Sequence, residues 1–115
     1  MSLTVKEDRA EQALVLSPGG RLDSVNAGEF QALVKGHIDA GEKRVIVDFS
    51  NLDYISSAGI RVMQFASETL EESGGRCVLC ALNNDISRVF RITGFDRIID
   101  IADTLEDALT RVPQS

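Results

Sequence analysis

Short runs that are apolar at every position alternate along the chain with longer stretches in which apolar residues recur every three or four positions. Val45-Ile46-Val47 is the clearest of the continuous runs. It is β-branched and uninterrupted, which suits a strand covered on both faces of a sheet. Asp48-Phe49-Ser50, a short loop and two adjacent serines, Ser56 and Ser57, follow it, and from there the spacing turns helical. The spacing predicts a helix over about residues 57–72, with Ile60, Met63, Ala66 and Leu70 in one row. Val62 and Phe65 fall off that row, so Phe65 is expected to be partly exposed, and Gly74-Gly75 closes the helix. A serine oxygen at such a boundary accepts a first-turn N–H, which makes Ser56 or Ser57 the N-cap.

Upstream, residues 3–8 and 12–17 predict an edge hairpin joined through Arg9-Ala10-Glu11, with Pro18-Gly19-Gly20 as a turn. Arg21-Leu22-Asp23-Ser24 then leads into a helix carrying Ala27, Phe30, Leu33, Val34, His37 and Ile38 at helical spacing. Asp23, Ser24 or Asn26 is its expected cap, the last with Glu29 as a capping box, and Gly41 its stop. The central strand is expected at 44–49 and the next at 76–82. Asn83-Asn84-Asp85 opens a short helix with Ile86, Val89, Phe90 and Thr93 on one face and Gly94 at its end. A strand over about 97–101 precedes a last helix, with Asp103 and Glu106 as capping box, Leu105, Ala108, Leu109 and Val112 as stripe, and Pro113 as terminator. Strands alternating with helices after a hairpin define an α/β fold with a mixed, mostly parallel sheet and right-handed crossovers. At 115 residues the chain makes one domain, with an ordered core over about 3–112.

Charge removes several classes of function. A net charge of −6 leaves no basic footprint for nucleic acid or an anionic membrane. No apolar run reaches the length of a membrane span, and no basic-then-apolar leader opens the chain, so a cytoplasmic protein is expected. Cys77 and Cys80 have C-x-x-C spacing, but Val78-Leu79 between them reads as strand, which sends the two thiols to opposite faces. They are expected to be reduced packing residues, with no metal site. His37 is the one histidine and lies in an apolar helix stripe, where a partly buried structural role is expected. A nucleophile elbow centred on Ser57 would need glycine where Ile55 stands, and neither G-x-x-x-x-G-K-[ST] nor G-x-G-x-x-G occurs. No enzymatic activity and no cofactor are expected. Asp48 is expected to hydrogen-bond the backbone of the following loop, and Gly59 to be a close-packing position.

Asp48-Phe49-Ser50-x-Leu52-x-Tyr54-Ile55-Ser56-Ser57-Ala58-Gly59-Ile60 resembles the signature of the STAS domain, known from bacterial anti-sigma-factor antagonists. The likeness runs from Gly20-Arg21-Leu22-Asp23 through Gly94 to the last helix. It implies a single STAS domain, a small mixed sheet with about four helices mainly on one side. In regulated members a serine at this helix start is phosphorylated by a partner that is both anti-sigma factor and kinase. On the match that serine is Ser57, with Ser56 as alternate, standing where many regulated members carry an acidic residue. The resemblance further implies that Asp23, Ser24, Ser56, Ser57, Ala58, Gly59 and Arg61 contact the partner, and a serine phosphatase is a further candidate partner. The alternative function is a constitutive STAS interaction module of a larger signalling or membrane-transport assembly, not phosphorylated.

Overall fold

Val45, Ile46 and Val47, each 1% exposed or less, lie in the middle of a six-stranded sheet. A computed structural model of the chain describes residues 3–112. The strands are β1 (Thr4–Ala10), β2 (Ala13–Leu22), β3 (Arg44–Asp48), β4 (Leu52–Ile55), β5 (Arg76–Cys80) and β6 (Asp100–Ala102). The helices among the described residues are α1 (Ala27–Asp39), α2 (Ser57–Glu72), α3 (Asn84–Thr93) and α4 (Leu105–Arg111), with a 3-10 turn at Phe95–Arg97. The sheet order is β1-β2-β3-β5-β6, with β4 beside β2, and every pairing except β1 with β2 is parallel.

The two faces of the sheet explain the uninterrupted apolar run. Val45 and Val47 enter a large core with Phe30 and Val34 of α1, Ile60, Met63 and Leu70 of α2, and Ile86 and Phe90 of α3. Ile46 enters a smaller core on the other face, closed by Ala108 of α4 and by Val112. Three helices therefore cover one face and one the other. Cys77 belongs to the first core and Cys80 to the second, so the thiols are free, buried and back to back. Burial pushes both thiols up to about 12. Phe65 is half-buried, as its offset in the pattern predicts.

Several local expectations change in the structure. Pro18-Gly19-Gly20 is not a turn but lies within β2, whose pairing with β1 runs from Ala13 to Gly19. β2 pairs with β3 only as far as Leu16 and with β4 from Gly20, so Pro18 falls in the gap between partners, where a missing N–H is tolerated. The register shifts after Gly20, whose φ of +92° accommodates the change of partner. The hairpin turn itself is Glu11–Gln12, with φ of +50° and +73°. β4 is a strand the pattern does not announce: it continues the line of β3 along β2, with Asn51 O accepting from Gly20 N–H at 3.0 Å between them.

At the other end Arg97 belongs to the 3-10 turn, and β6 begins at Asp100. Thr104, not Asp103, caps α4, its hydroxyl accepting from Asp107 N–H at 3.1 Å. Val89 is 37% exposed and Thr93 is exposed, so only Ile86 and Phe90 anchor α3. The expectation for Pro113 lies outside the described residues. Ion pairs tie the elements together, Arg9 with Glu42 and Asp100 between Arg76 and Arg111, and His37 Nε2 lies 3.1 Å from Glu7 Oε1.

Candidate functional site

β2 and β4 end side by side, with Leu22 opposite Ile55. The next residue on each strand is Asp23 on one and Ser56 on the other, and Ser56 N–H donates to Leu22 O at 2.9 Å. That one bond joins the loop before α1 to the start of α2. Ser56 has extended backbone (φ −93°, ψ 173°), and its Oγ accepts from Gly59 N–H at 3.4 Å, which makes it the N-cap. Ser57 is then the first helical residue. Its hydroxyl is exposed and carries no hydrogen bond among the described residues, at the end of α2 where the helix dipole is positive.

Gly59 lets α2 sit this close. A Cβ built there would lie 2.7 Å from Ile55 Cγ1 and 2.9 Å from Leu22 Cγ. The first turn thus rests directly on the ends of β2 and β4, as close packing at this glycine predicts. Gly59 itself is buried and offers a partner no side chain, whereas Ala58 is half-buried and Arg61 exposed. Asp48 Oδ1 accepts from Ser50 N–H at 2.9 Å, closing the loop that leads to β4.

The Asp23 loop is fixed from beneath by Asn26, which is only 5% exposed. Its Oδ1 accepts from Asp23 N–H at 2.9 Å and its Nδ2 donates to Arg21 O at 2.8 Å. The side chain that would have made a capping box with Glu29 is thereby used up, and α1 starts with no side-chain cap. Asp23 instead turns the chain, its Oδ1 accepting from Val25 N–H at 3.0 Å and its carbonyl from Ala27 N–H at 2.8 Å. The result is a loop that holds Ser24 in solvent and Val25 82% exposed. Beside it the Arg21 guanidinium lies over the Tyr54 ring, 4.1 Å from its centroid, and Nε is 3.9 Å from Asp23 Oδ2. A groove of about 700 Å³ opens here, lined by Gly20, Arg21, Asp23, Val25, Asn26 and Asp53.

The structure therefore gathers Asp23, Ser24, Ser56 and Ser57 at one end of two parallel strands. Sequence reasoning missed Asn26 as the loop's anchor and the Arg21–Tyr54 pair. Arg21 and Tyr54 each stand one residue before the Leu22–Ile55 pair, a signal visible only once β4 is recognised as a strand. His37 pairs with Glu7 on β1, and no base reaches Ser57 among the described residues. An exposed apolar tip, a carboxylate and an uncommitted hydroxyl on fixed backbone are equipment for recognition.

The chain belongs to the STAS domain family, whose sequence pattern matches residues 4–108. BtrV of Bordetella bronchiseptica, named as a candidate anti-sigma factor antagonist, is 38% identical over 108 residues, covering 94% of this chain and 91% of BtrV. The anti-sigma-F factor antagonist RsfB of Mycobacterium tuberculosis is 26% identical and covers 96% of this chain and 90% of its own length. The crystal structure of a candidate anti-sigma factor antagonist from Thermotoga maritima superposes with a TM-score of 0.88 at 26% identity, covering 94% and 93% of the two chains.

Proposed function

We propose that this protein is an anti-sigma factor antagonist that binds an anti-sigma factor, itself a serine kinase, and is switched off when that partner phosphorylates Ser57. The observation that carries the reading is the Ser56 N–H to Leu22 O bond, because it makes the Asp23 loop and the start of α2 one surface. Ser24, Ala58 and Arg61 extend that surface, while Gly59 contributes by seating the helix. Ser56 Oγ caps α2 whereas the Ser57 hydroxyl is exposed and unengaged, which supports Ser57 as the acceptor. A phosphate would add about −1.5 to −2 charges beside Asp23, and the penalty falls on the interface, since the helix dipole favours the anion within the fold. ATP belongs to the partner, and a serine phosphatase resets the switch in the cytoplasm. The relatives' names support the antagonist role.

The test is incubation with the kinase partner and ATP, followed by intact mass and phosphosite mapping on wild type, Ser56→Ala and Ser57→Ala. One phosphate on wild type and Ser56→Ala, none on Ser57→Ala, and weak binding of Ser57→Asp are expected. Unchanged binding by Ser57→Asp would sink the switch. Absence of any phosphate would favour the constitutive module, a reading supported by a first α2 turn that carries no acidic residue beside the serines.

A further inference from the structure

We propose that Arg61 is the internal counter-ion of a phosphate on Ser57, so that phosphorylation withdraws this cation from the docking surface as well as adding charge to it. The inference rests on the reading of Ser57 as the phosphate acceptor. Ser57 opens α2 and Arg61 follows four positions later. That spacing places two side chains one above the other on the same helix face, and the order of acid before base is the favourable one. Helical side chains lean toward the N-terminus, so Arg61 needs only its own rotamer freedom to meet a group on Ser57. Its planar fork matches two phosphate oxygens at once.

Arg61 is also the uncommitted cation of the site. Both Ser57 and Arg61 are exposed. Arg9, Arg21, Arg76 and Arg111 each have a carboxylate partner, and Arg61 has none among the described residues. Arg21, the other cation near the start of α2, is held over Tyr54 and next to Asp23. The carboxylates of the adjoining groove, Asp23 on the loop and Asp53 on β4, offer a phosphate no counter-charge. In the unmodified protein Arg61 is therefore free to meet an acidic group on the partner. Once Ser57 carries a phosphate, the same guanidinium turns inward to it, and the partner loses an attraction while gaining a repulsion.

The experiment installs phosphoserine at position 57 during translation, by genetic code expansion, so that no kinase is needed. Phosphorus NMR then follows the second ionisation of the phosphate in the full chain against pH. In wild type it should fall about half a pH unit below that of Arg61→Gln, because a nearby cation favours the dianion. Arg61→Lys should recover part of the difference, and Arg21→Gln should leave it unchanged. Equal titration of wild type and Arg61→Gln overturns the assignment, as does a shift that disappears with Arg21→Gln instead. Should the kinase leave natural Ser57 unmodified while the installed phosphate shows the shift, the switch reading falls and the Arg61 assignment stands.

Discussion

Gly59→Ala sets two known effects against each other at the point where α2 meets the sheet. Alanine is the better helix former, worth up to about 1 kcal/mol over glycine in a helix interior. Against that, the new methyl would stand 2.7 Å from Ile55 Cγ1, 2.9 Å from Leu22 Cγ and 3.2 Å from Leu22 Cδ2. Optimal carbon contacts lie at about 3.5–4.0 Å, so the first two are well inside the repulsive wall and the third is tight. Neither neighbour has solvent to retreat into, with Leu22 0% and Ile55 4% exposed, and Ile55 is β-branched and stiff. Overpacking of this kind costs about 1–3 kcal/mol, so the net expectation is a loss of about 1 kcal/mol, or about 4 °C in Tm for a domain this size. Urea unfolding with an unchanged m-value measures it. Because Leu22 and Ile55 directly precede Asp23 and Ser56, affinity for the proposed anti-sigma partner should fall as well. A mutant that is more stable than wild type by about 1 kcal/mol, the full helix-propensity gain, would refute the claim that α2 is seated by this contact.

Asn26→Ala should cost about 1 kcal/mol, since it removes both bonds that the buried Asn26 side chain makes to the part-buried Asp23 N–H and Arg21 C=O; a thermal melt within noise of wild type would show the loop holds itself. Ser56→Ala should lose about 0.5 kcal/mol, the low end for a cap because its bond is long at 3.4 Å, while Ser57→Ala should melt like wild type; the reverse order would exchange their roles. Gln12→Gly should raise stability by about 1 kcal/mol by relieving a φ of +73°, and a lowered Tm would mean the side chain matters more than the backbone. The thiols of Cys77 and Cys80 stay protonated in the folded state up to about pH 12, whereas in the unfolded chain they ionise near 9.0. Their contribution to stability is therefore complete below about pH 9 and is lost between there and 12, and rapid thiol labelling of native protein at pH 8 would contradict the burial.

Sequence pattern was most legible where burial on both sides left no choice of residue. Val45-Ile46-Val47 had to be apolar at every position, and the α2 stripe had to repeat helically, so both elements could be placed and the cap narrowed to Ser56 or Ser57, between which the structure chooses Ser56. The opposite facing of Cys77 and Cys80 followed from strand geometry alone. Elements made by pairing were harder to see. Leu52-Asp53-Tyr54-Ile55 is buried only at its ends, so it shows no alternation; it is a strand because β2 offers a free edge beyond Leu16. For the same reason Pro18 and Gly20 gave the signal of a turn while serving a strand that changes partners. Caps misled where several candidates stood together: Asn26 was drawn under the loop, and Thr104 reached Asp107 N–H in place of Asp103. The serines of the site were visible as a local motif, but its other half came from residues brought in by β2.

The outer edge of the sheet decides how the protein behaves at high concentration. β1 leaves one side unpaired, and along it Lys6, Glu7, Asp8 and Arg9 stand consecutively, all exposed. A strand from another molecule adding there would have to strip water from four charges in a row, on both faces of the new pairing. The opposite edge, β6, is guarded by brevity, with three residues and its first, Asp100, already occupied by Arg76 and Arg111. Strand addition at these two edges is thus discouraged by different means, by a row of charges on β1 and by shortness and ion pairing on β6, which works against the sheet seeding fibres.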